Sequence, residues 1–269
     1  MYIDTVIFDL DGVIIDTEEI WNSVRSEFAE AHGGHWSEEL DQPLVMGANS
    51  MQWAASMREN NGVDLSDQQI YDGIVQALRR RYARHLPLIP GAVGAVARLA
   101  VDFRLGVASS SPREIIEYAL ELAGLRSCFE AVVSSDEVTR GKPEPYVYQE
   151  ACVRMKALPE MAAAVEDSTS GIQAASAAGL AVIAIPNPVF PPAKEALELA
   201  DVVLDSIGKL DRSVFERLRG SEGGAPGSAP SAGPSGAGPS GAGPSGARPA
   251  GAGSPATRDP RCRNGRGLV

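Results

Sequence analysis

Apolar residues occur along the chain at two spacings, and these spacings predict its secondary structure. Residues 6–8 (Val-Ile-Phe) form a short continuous apolar run, which is typical of a buried strand. Between residues 20 and 31, apolar side chains recur every three or four positions, which predicts a helix that ends at Gly33 and Gly34. The same spacing predicts further helices over residues 37–45, 50–60 and 66–85.

From residue 90 onward, predicted strands alternate with predicted helices. The strands are expected at residues 104–108, 131–134, 162–165, 181–185 and 202–204, and the helices at residues 91–101, 112–123, 146–155, 170–178 and 193–199. Such alternation is typical of a parallel sheet with helices on both faces. We therefore predict an α/β chain with a Rossmann-like parallel sheet, which binds ligands at the carboxyl ends of its strands.

The all-helical stretch indicates a division into domains. Residues 18–86 contain no convincing strand pattern, and they lie between the first strand and a proline-containing segment at residues 87–91. We predict that residues 18–86 form a small helical domain. It would be inserted into a core domain made of residues 1–17 and 87–215.

The last part of the chain has a different composition. Residues 221–269 consist mainly of Gly, Ala, Pro and Ser, and the sequence Gly-Pro-Ser-Gly-Ala occurs three times in succession over residues 233–247. A segment of this composition cannot bury a core, so this tail is predicted to be disordered.

The charge of the chain narrows the classes of function. The first 220 of the 269 residues carry 19 basic and 33 acidic side chains, a net charge of −14. Such a charge disfavours binding to nucleic acid and to anionic membranes. An anionic substrate would therefore have to be attracted by local positive groups or by a metal ion.

Cysteine content and the N-terminal residues point to a cellular compartment. Cys128, Cys152 and Cys262 match neither a zinc-site spacing nor a disulfide framework, so reduced cysteines are expected. The first residues lack a basic stretch followed by a long apolar run, and no apolar run approaches membrane-spanning length. We expect a cytoplasmic, soluble protein without a signal peptide.

An Asp-Leu-Asp-Gly sequence at residues 9–12 ends the first predicted strand. Two carboxylates two residues apart, followed by a glycine for the turn, can share a cation such as Mg²⁺. The cation would keep Asp9 ionised as a nucleophile that forms an aspartyl phosphate, while Asp11 could transfer protons. An EF-hand loop is excluded, because Ile14 and Ile20 stand where it needs glycine and glutamate. A plain acidic turn remains the alternative on these residues alone.

A serine-rich segment follows the second predicted strand. Ser111 and Glu114 fit a capping box with Pro112 at the first helical position, which gives Ser111 a structural role. Ser109 and Ser110 remain free, and hydroxyl groups next to a helix N-terminus can hold phosphate. An ordinary serine-rich turn is the alternative.

Two further strand ends carry charged side chains. Pro143 and Pro145 stiffen the backbone beside Lys142, whose fixed ammonium group could offset charge on a transferred phosphoryl group. A solvated surface lysine is the alternative. Glu166 and Asp167 follow the fourth predicted strand of the chain, at residues 162–165, and place a second acidic pair at the edge where the first one lies. Two facing acidic pairs repel each other unless a cation lies between them, whereas an N-cap role would explain only one of the acids.

Together, these segments resemble the four ordered motifs of the haloacid dehalogenase superfamily of phosphotransferases. The matching residues are Asp9 to Gly12, Ser109, Lys142 with Pro143, and Glu166 with Asp167. The resemblance spans residues 3 to about 207 and is strongest to the branch that contains β-phosphoglucomutase and small sugar-phosphate phosphatases. It implies the α/β fold of that superfamily, with a helical cap domain at residues 18–86.

The resemblance also implies roles for individual residues. Asp9 corresponds to the nucleophile and Asp11 to the general acid and base, while Ser109 and Lys142 correspond to phosphate ligands. The implied Mg²⁺ ligands are Asp9, the main-chain carbonyl of Asp11, Asp167 and, directly or through a neighbouring ligand, Glu166. The presence of Asp11 argues against dehalogenation, because a halide leaving group needs no proton.

Departures from the mutase pattern favour hydrolysis. Ile20 and Trp21 occupy the place of the mutase histidine, and the arginine that mutases carry in the cap has no equivalent in residues 48–51. A mutase must bind a second phosphate, for which Arg58 or the arginines at 79–81 could substitute, although such arginines are more often solvated. We therefore predict a Mg²⁺-dependent phosphatase that hydrolyses a small, sugar-like phosphomonoester. A sugar-phosphate mutase is the alternative, and a non-catalytic module that binds partners through the tail is a third hypothesis.

Five residues are expected to contact the rest of the substrate: Thr17, Trp21, Met46, Asn49 and Ser110. The expected partner is a small-molecule phosphate ester, without a nucleic-acid or membrane partner. The protein is expected to be a monomer or a weak homo-oligomer.

Overall fold

The computed structural model of the chain describes residues 2–45 and 48–220. The predictions for Met46 and for the tail at residues 221–269 lie outside the described residues. Among the helices of the described part, none combines the length and the apolar character that crossing a membrane requires.

One parallel sheet organises the described residues. Its strands are β1 (Thr5–Phe8), β2 (Arg104–Ser109), β3 (Ala131–Ser134), β4 (Ala162–Glu166), β5 (Ala181–Ala184) and β6 (Val202–Val203). Their spatial order is β3-β2-β1-β4-β5-β6, so the chain changes direction along the sheet between β1 and β4. This confirms the predicted α/β sheet. Ligands of such sheets bind at the point of reversal, beyond the carboxyl ends of the strands.

Helices connect the strands and also form a block between β1 and β2. The α-helices are α1 (Glu18–Ala31), α2 (Glu38–Val45), α3 (Ser50–Glu59), α4 (Asp67–Arg84), α5 (Ala92–Asp102), α6 (Arg113–Leu122), α7 (Tyr146–Met155), α8 (Thr169–Ala177), α9 (Lys194–Leu197) and α10 (Arg212–Gly220). Short 3₁₀ helices lie at Arg126–Cys128, Ser135–Glu137, Pro159–Met161 and Ile207–Lys209. Helix α10 was not predicted from the sequence.

Helices α1–α4, here called the helical insert, agree closely with the predicted helices. Two of them begin with capping boxes, in which the first and fourth residues bond to each other's backbone. Asn49 and Gln52 form the box of α3, and Ser66 and Gln69 form that of α4. These caps explain why the helices begin where they do. The assignment of the insert to a domain of its own stays a prediction.

The side chains of β1 alternate between the two faces of the sheet. Val6 and Phe8 are buried on one face, in a core that extends through α5 and α6 into the helical insert. Ile7 is buried on the other face, against α7 and α8. Helices therefore cover both faces of β1, and its carboxyl end is the part that can face a ligand.

Two structural expectations were wrong. Ser111 does not cap α6: the N-cap residue is Pro112, without a side-chain capping bond among the described residues. The hydroxyl of Ser111 donates instead to the Asp11 carboxyl group at 2.7 Å, because the packing of the two strand ends brings Asp11 within its reach. Cys128 is disulfide-bonded, which corrects the expectation of reduced cysteines. Cys152 is a free, buried thiol.

Candidate active site

Several strands end at the same level and carry the predicted site residues. Phe8 pairs with Val107 of β2 and with Val165 of β4, so the residues that follow these strands lie side by side. A cavity of about 130 Å³ opens at this edge. The sheet edge lines it with Asp9, Asp11, Ser110, Ser111, Lys142 and Asp167, and the helical insert lines it with Glu18, Trp21, Arg25, Gln42 and Trp53.

Lys142 lies between two acids in the interior. Its Nζ is 3.0 Å from Oδ1 of Asp9 and donates a hydrogen bond of 2.5 Å to Oε1 of Glu166. Burial by itself lowers the pKa of Lys142, but the two carboxylates outweigh burial, so its net pKa is above the usual range. Lys142 is therefore a buried, charged residue, and the alternative of a solvated surface lysine is excluded.

Glu166 is fully buried and accepts several hydrogen bonds. Besides Lys142, it accepts a 2.6 Å bond from the hydroxyl of Tyr148, and its second oxygen accepts bonds from the backbone N–H of Asp167 and the hydroxyl of Ser168. A Cβ atom on Gly171 would lie 1.9 Å from this second oxygen. The absence of a side chain at Gly171 therefore gives the Glu166 carboxylate its space.

The donor set at this edge suits a divalent cation. Asp9, Glu166 and Asp167 are buried and place one carboxylate oxygen each within 4.8 Å of the others. Oδ1 of Asp9 is buried and has no hydrogen-bond partner among the described residues, although Lys142 lies near it. A Cβ atom on Gly12 would lie 1.9 Å from Asp167, so the turn leaves room for that carboxylate. Oxygen ligands of this kind fit Mg²⁺.

The pKa values reflect the crowding of these acids. Burial raises the pKa of Asp9 to about 8, and the charge of Glu166 adds to this, while Lys142 acts in the opposite direction. The pKa of Asp167 lies well above its usual range, because of burial first and then the charge of Asp9. A bound cation would favour the ionised form of both groups.

Three hydroxyl groups orient the Asp11 carboxylate. Thr17 donates to Oδ1 at 2.5 Å, while Ser111 and Ser109 donate to Oδ2 at 2.7 Å and 3.2 Å. Ser109 is fully buried, and its hydroxyl oxygen also accepts a hydrogen bond from the backbone N–H of Ser111. Two residues predicted to contact the substrate, Thr17 and Ser109, are thus placed as partners of Asp11, and Ser111 was missed as a third.

The structure brings the remaining predicted contact residues only partly to the cavity. Ser110 and Trp21 line it, as does Thr17. Asn49 is not among the described lining residues, and its side-chain oxygen accepts the Gln52 N–H to cap α3. Of the arginines considered for a second phosphate, Arg58 pairs with Asp67 on the surface, and Arg79 and Arg81 also form surface ion pairs.

Arg25 is the main site residue that the sequence reasoning missed. It is 6% exposed, it lines the cavity, and its guanidinium carbon lies 4.7 Å from the centre of the Trp21 ring. Burial lowers its pKa to about 10, so it remains protonated at neutral pH. One signal could have identified it, since Arg25 follows Trp21 and Val24 at the spacing that defines the buried face of α1. A basic residue on that face needs a partner inside the molecule.

The chain is similar to known phosphatases along most of its length. The sequence model of the haloacid dehalogenase-like hydrolase family matches residues 6–185. Hexitol phosphatase B of Escherichia coli (strain K12) is 30% identical over 209 residues, which cover 76% of this chain and 92% of that protein. The phosphorylated carbohydrates phosphatase of Thermotoga maritima is 30% identical over 184 residues, covering 66% of this chain and 82% of that protein.

Solved structures share the fold. CbbY from Rhodobacter sphaeroides, crystallised in complex with phosphate, is 27% identical and superimposes with a TM-score of 0.72. The superposition covers 80% of this chain and 99% of that one. The likeness therefore includes both the sheet and the helical insert.

Proposed function

This chain belongs to the haloacid dehalogenase-like hydrolases and is a phosphoric monoester hydrolase, and we propose that it hydrolyses a small sugar phosphate with Asp9 as nucleophile and Mg²⁺ as cofactor. One observation carries the proposal: Asp9 lies at the end of β1, 3.0 Å from Lys142, in a cluster of three buried acids that borders the cavity. In this setting, the Asp9 carboxylate supplies a nucleophilic oxygen, while Lys142 and the bound cation would attract the phosphate dianion.

The proposed reaction has two steps. First, a carboxylate oxygen of Asp9 attacks phosphorus, the bond from phosphorus to the ester oxygen breaks, and Asp11 gives its proton to that oxygen. The leaving group departs with its oxygen as a protonated hydroxyl group, and Asp9 carries the phosphoryl group. Water then attacks phosphorus, Asp11 takes the proton of the water, and the bond between phosphorus and Asp9 breaks. Phosphate is released and both carboxyl groups return to their starting states.

The surrounding residues position these groups. The hydroxyls of Thr17, Ser109 and Ser111 keep Asp11 turned toward the cavity through three hydrogen bonds. Lys142 provides positive charge where negative charge develops on the phosphoryl oxygens, and Glu166 holds it there. Mg²⁺ held by Asp9, Glu166 and Asp167 would neutralise phosphoryl charge further.

A sugar phosphate is proposed as the substrate class on two grounds. The names of the relatives refer to phosphorylated carbohydrates and hexitols. The cavity is lined by the aromatic rings of Trp21 and Trp53 and by the amide of Gln42. The rings can pack against the C–H groups of a sugar, and the amide can form hydrogen bonds with its hydroxyl groups.

The mutase alternative regains support from Arg25. It was disfavoured because no cation for a second phosphate could be identified, and Arg25 is a cation in the same cavity as Asp9. Phosphatase activity remains the preferred proposal, because the relatives are named as phosphatases. Isomerised product with little free phosphate would favour the mutase instead.

The test is phosphate release from a panel of sugar phosphates and nucleotides, with Mg²⁺ or with EDTA, and with analysis for isomerised products. We expect Mg²⁺-dependent release that Asp9→Asn lowers at least about 10³-fold. Borohydride reduction of quenched enzyme should convert the phosphorylated Asp9 to homoserine, which mass spectrometry detects.

Asp4→Asn is the matched control, because Asp4 stands just before β1 at the opposite end of the strand. Its activity should equal that of the unmodified protein. Release of phosphate that persists in Asp9→Asn would contradict the proposal.

A further inference from the structure

Arg25 shares one cavity with the proposed nucleophile but takes no part in the proposed reaction. Asp9 and Lys142 lie at the sheet edge of this cavity, and Arg25 lies on its helical-insert side. Because the cavity is only about 130 Å³, one small molecule can reach both ends. The question is which group of that molecule Arg25 contacts.

The three tryptophans of the chain surround the Arg25 guanidinium. Its carbon atom lies 4.7 Å from the centre of the Trp21 ring, 5.3 Å from that of Trp36 and 5.9 Å from that of Trp53. Indole rings attract a cation through their faces, but they accept no ordinary hydrogen bond from it. The rings therefore exclude water from Arg25 without replacing the acceptors that water would provide.

Among the described residues, Arg25 forms no hydrogen bond or close ion pair with a carboxylate. Nη1 donates to Oε1 of Gln42 at 3.0 Å, and Gln42 is neutral. Glu18 accepts a hydrogen bond from the other end of Gln42 and raises the pKa of Arg25 through its charge, but it forms no hydrogen bond with the guanidinium among the described residues. Nε of Arg25 is buried and has no hydrogen-bond partner among residues 2–45 and 48–220.

A buried guanidinium in this state is only partly compensated. Burying a charge is costly unless it is both paired and hydrogen-bonded. The planar fork of arginine matches a carboxylate or a phosphate, each of which supplies two oxygens and a negative charge. Neutral sugar hydroxyls could satisfy the unused donors but not the charge.

We infer that Arg25 binds a second anionic group of the substrate, a carboxylate or a second phosphate carried by the leaving group. This inference rests on the proposed function, because it assumes that the first phosphate is bound at Asp9 and Lys142. The substrate class is thereby narrowed to phosphomonoesters with a second negative charge a short distance from the scissile phosphate.

The first experiment compares substrates that differ only in the second group. The pairs are 3-phosphoglycerate with glycerol 3-phosphate for a carboxylate, and fructose 1,6-bisphosphate with fructose 1-phosphate for a second phosphate. We expect the protein to prefer the more anionic member of at least one pair. Arg25→Gln should lower kcat/KM for that member roughly 10- to 100-fold more than for its partner. The pair that responds identifies which anion is bound.

Two further variants control for charge and folding. Arg80→Gln removes the same charge from the exposed surface of α4 and should leave the preference unchanged. Arg25→Lys keeps the charge without the planar fork and should lose part of the preference, which gives a readout if Arg25→Gln does not fold.

The second experiment measures binding without turnover. Because all three tryptophans lie around Arg25, their fluorescence reports on this end of the cavity. In the full chain carrying Asp9→Asn, with Mg²⁺, the more anionic probe should change the emission at lower concentrations than its less anionic partner. In the same background, Arg25→Gln should remove that difference and Arg25→Lys should reduce it.

The two experiments separate this inference from the proposed function. If no phosphate is released from any substrate but the binding difference depends on Arg25, the inference stands and the proposed function fails. If phosphate is released and substitutions of Arg25 affect both members of each pair equally, the inference is overturned and the proposed function stands. A preference for the less anionic members in both experiments also overturns the inference.

Discussion

The Asp136 carboxylate accepts two hydrogen bonds from Ser50, one from the backbone N–H at 2.7 Å and one from the hydroxyl at 2.6 Å. Ser50 is the first residue of α3 in the helical insert, whereas Asp136 lies in the 3₁₀ helix that follows β3. A carboxylate at a helix N-terminus also interacts favourably with the helix dipole. This pair therefore joins the helical insert to the sheet beside the cavity.

Weakening this contact should loosen the closure of the cavity. Asp136→Asn removes the charge and one acceptor, so we expect KM to rise about 3- to 10-fold and the free energy of unfolding to fall by only about 1 kcal/mol. Steady-state kinetics and hydrogen exchange of the first α3 amides measure these effects. Asp64→Asn, an exposed position in the helical insert, is the control and should change neither quantity. Unchanged KM and unchanged exchange in Asp136→Asn would show that the contact does not hold α3.

Gly171→Ala should destabilise the protein although alanine favours helices. The new Cβ would lie 1.9 Å from Glu166, so that carboxylate must move and the metal site is disturbed. We expect a loss of roughly 1–3 kcal/mol in the free energy of unfolding and a lower Mg²⁺ affinity. Gly94→Ala in α5 is the control, because its Cβ meets only the flexible end of Arg98 at 3.3 Å. Equal effects of the two substitutions on Mg²⁺ affinity would contradict this account.

Tyr148→Phe should affect catalysis through Glu166 and Lys142. The hydroxyl of Tyr148 donates a hydrogen bond of 2.6 Å to Oε1 of Glu166. The same oxygen accepts a hydrogen bond from Lys142. Without it, we expect kcat to fall about 3- to 10-fold and the free energy of unfolding to fall by about 1 kcal/mol. Tyr146→Phe, at the exposed start of α7, should have neither effect. Wild-type kcat in Tyr148→Phe would mean that Lys142 keeps its position without this bond.

Stability should depend on pH and on Mg²⁺ together. The pKa of Asp9 is about 8 in the folded protein, against an ordinary value of 3.8, so the folded state binds more protons than the unfolded chain between these values. In EDTA, the free energy of unfolding should therefore fall as pH rises from about 4 to about 8, by an amount on the order of a few kcal/mol.

Mg²⁺ should reverse this trend, because it binds the ionised carboxylates. Thermal unfolding at pH 5 and pH 8, with EDTA or with Mg²⁺, measures the effect. We expect Mg²⁺ to raise Tm more at pH 8 than at pH 5, and Asp9→Asn to reduce the pH dependence in EDTA, with the contribution of Asp167 remaining. An equal rise in Tm at both pH values would contradict the assignment of Asp9 to the metal site.

Much of the fold could be predicted because it depends on local patterns. The strand at Ala131–Ser134 and the helix at Tyr146–Met155 have the predicted boundaries, since apolar spacing and neighbouring turn residues define both elements. Helix α10, which follows the last predicted strand, was missed. The placement of Asp9 at a strand end followed from the abrupt change from apolar to acidic residues.

The sequence by itself determined most of the helices and strands, and it determined that polar groups follow β1, β2, β3 and β4. Their mutual partners were decided only by the tertiary structure. Ser111 could bond either a nearby helix amide or Asp11, a hundred residues away in the chain, and only packing brings Asp11 within reach. The position of Arg25 in α1 shows only that it lies on the buried face of that helix. The three tryptophans around it come from separate segments of the helical insert. Local spacing sets the face on which a side chain lies, but the groups opposite that face depend on how distant segments pack.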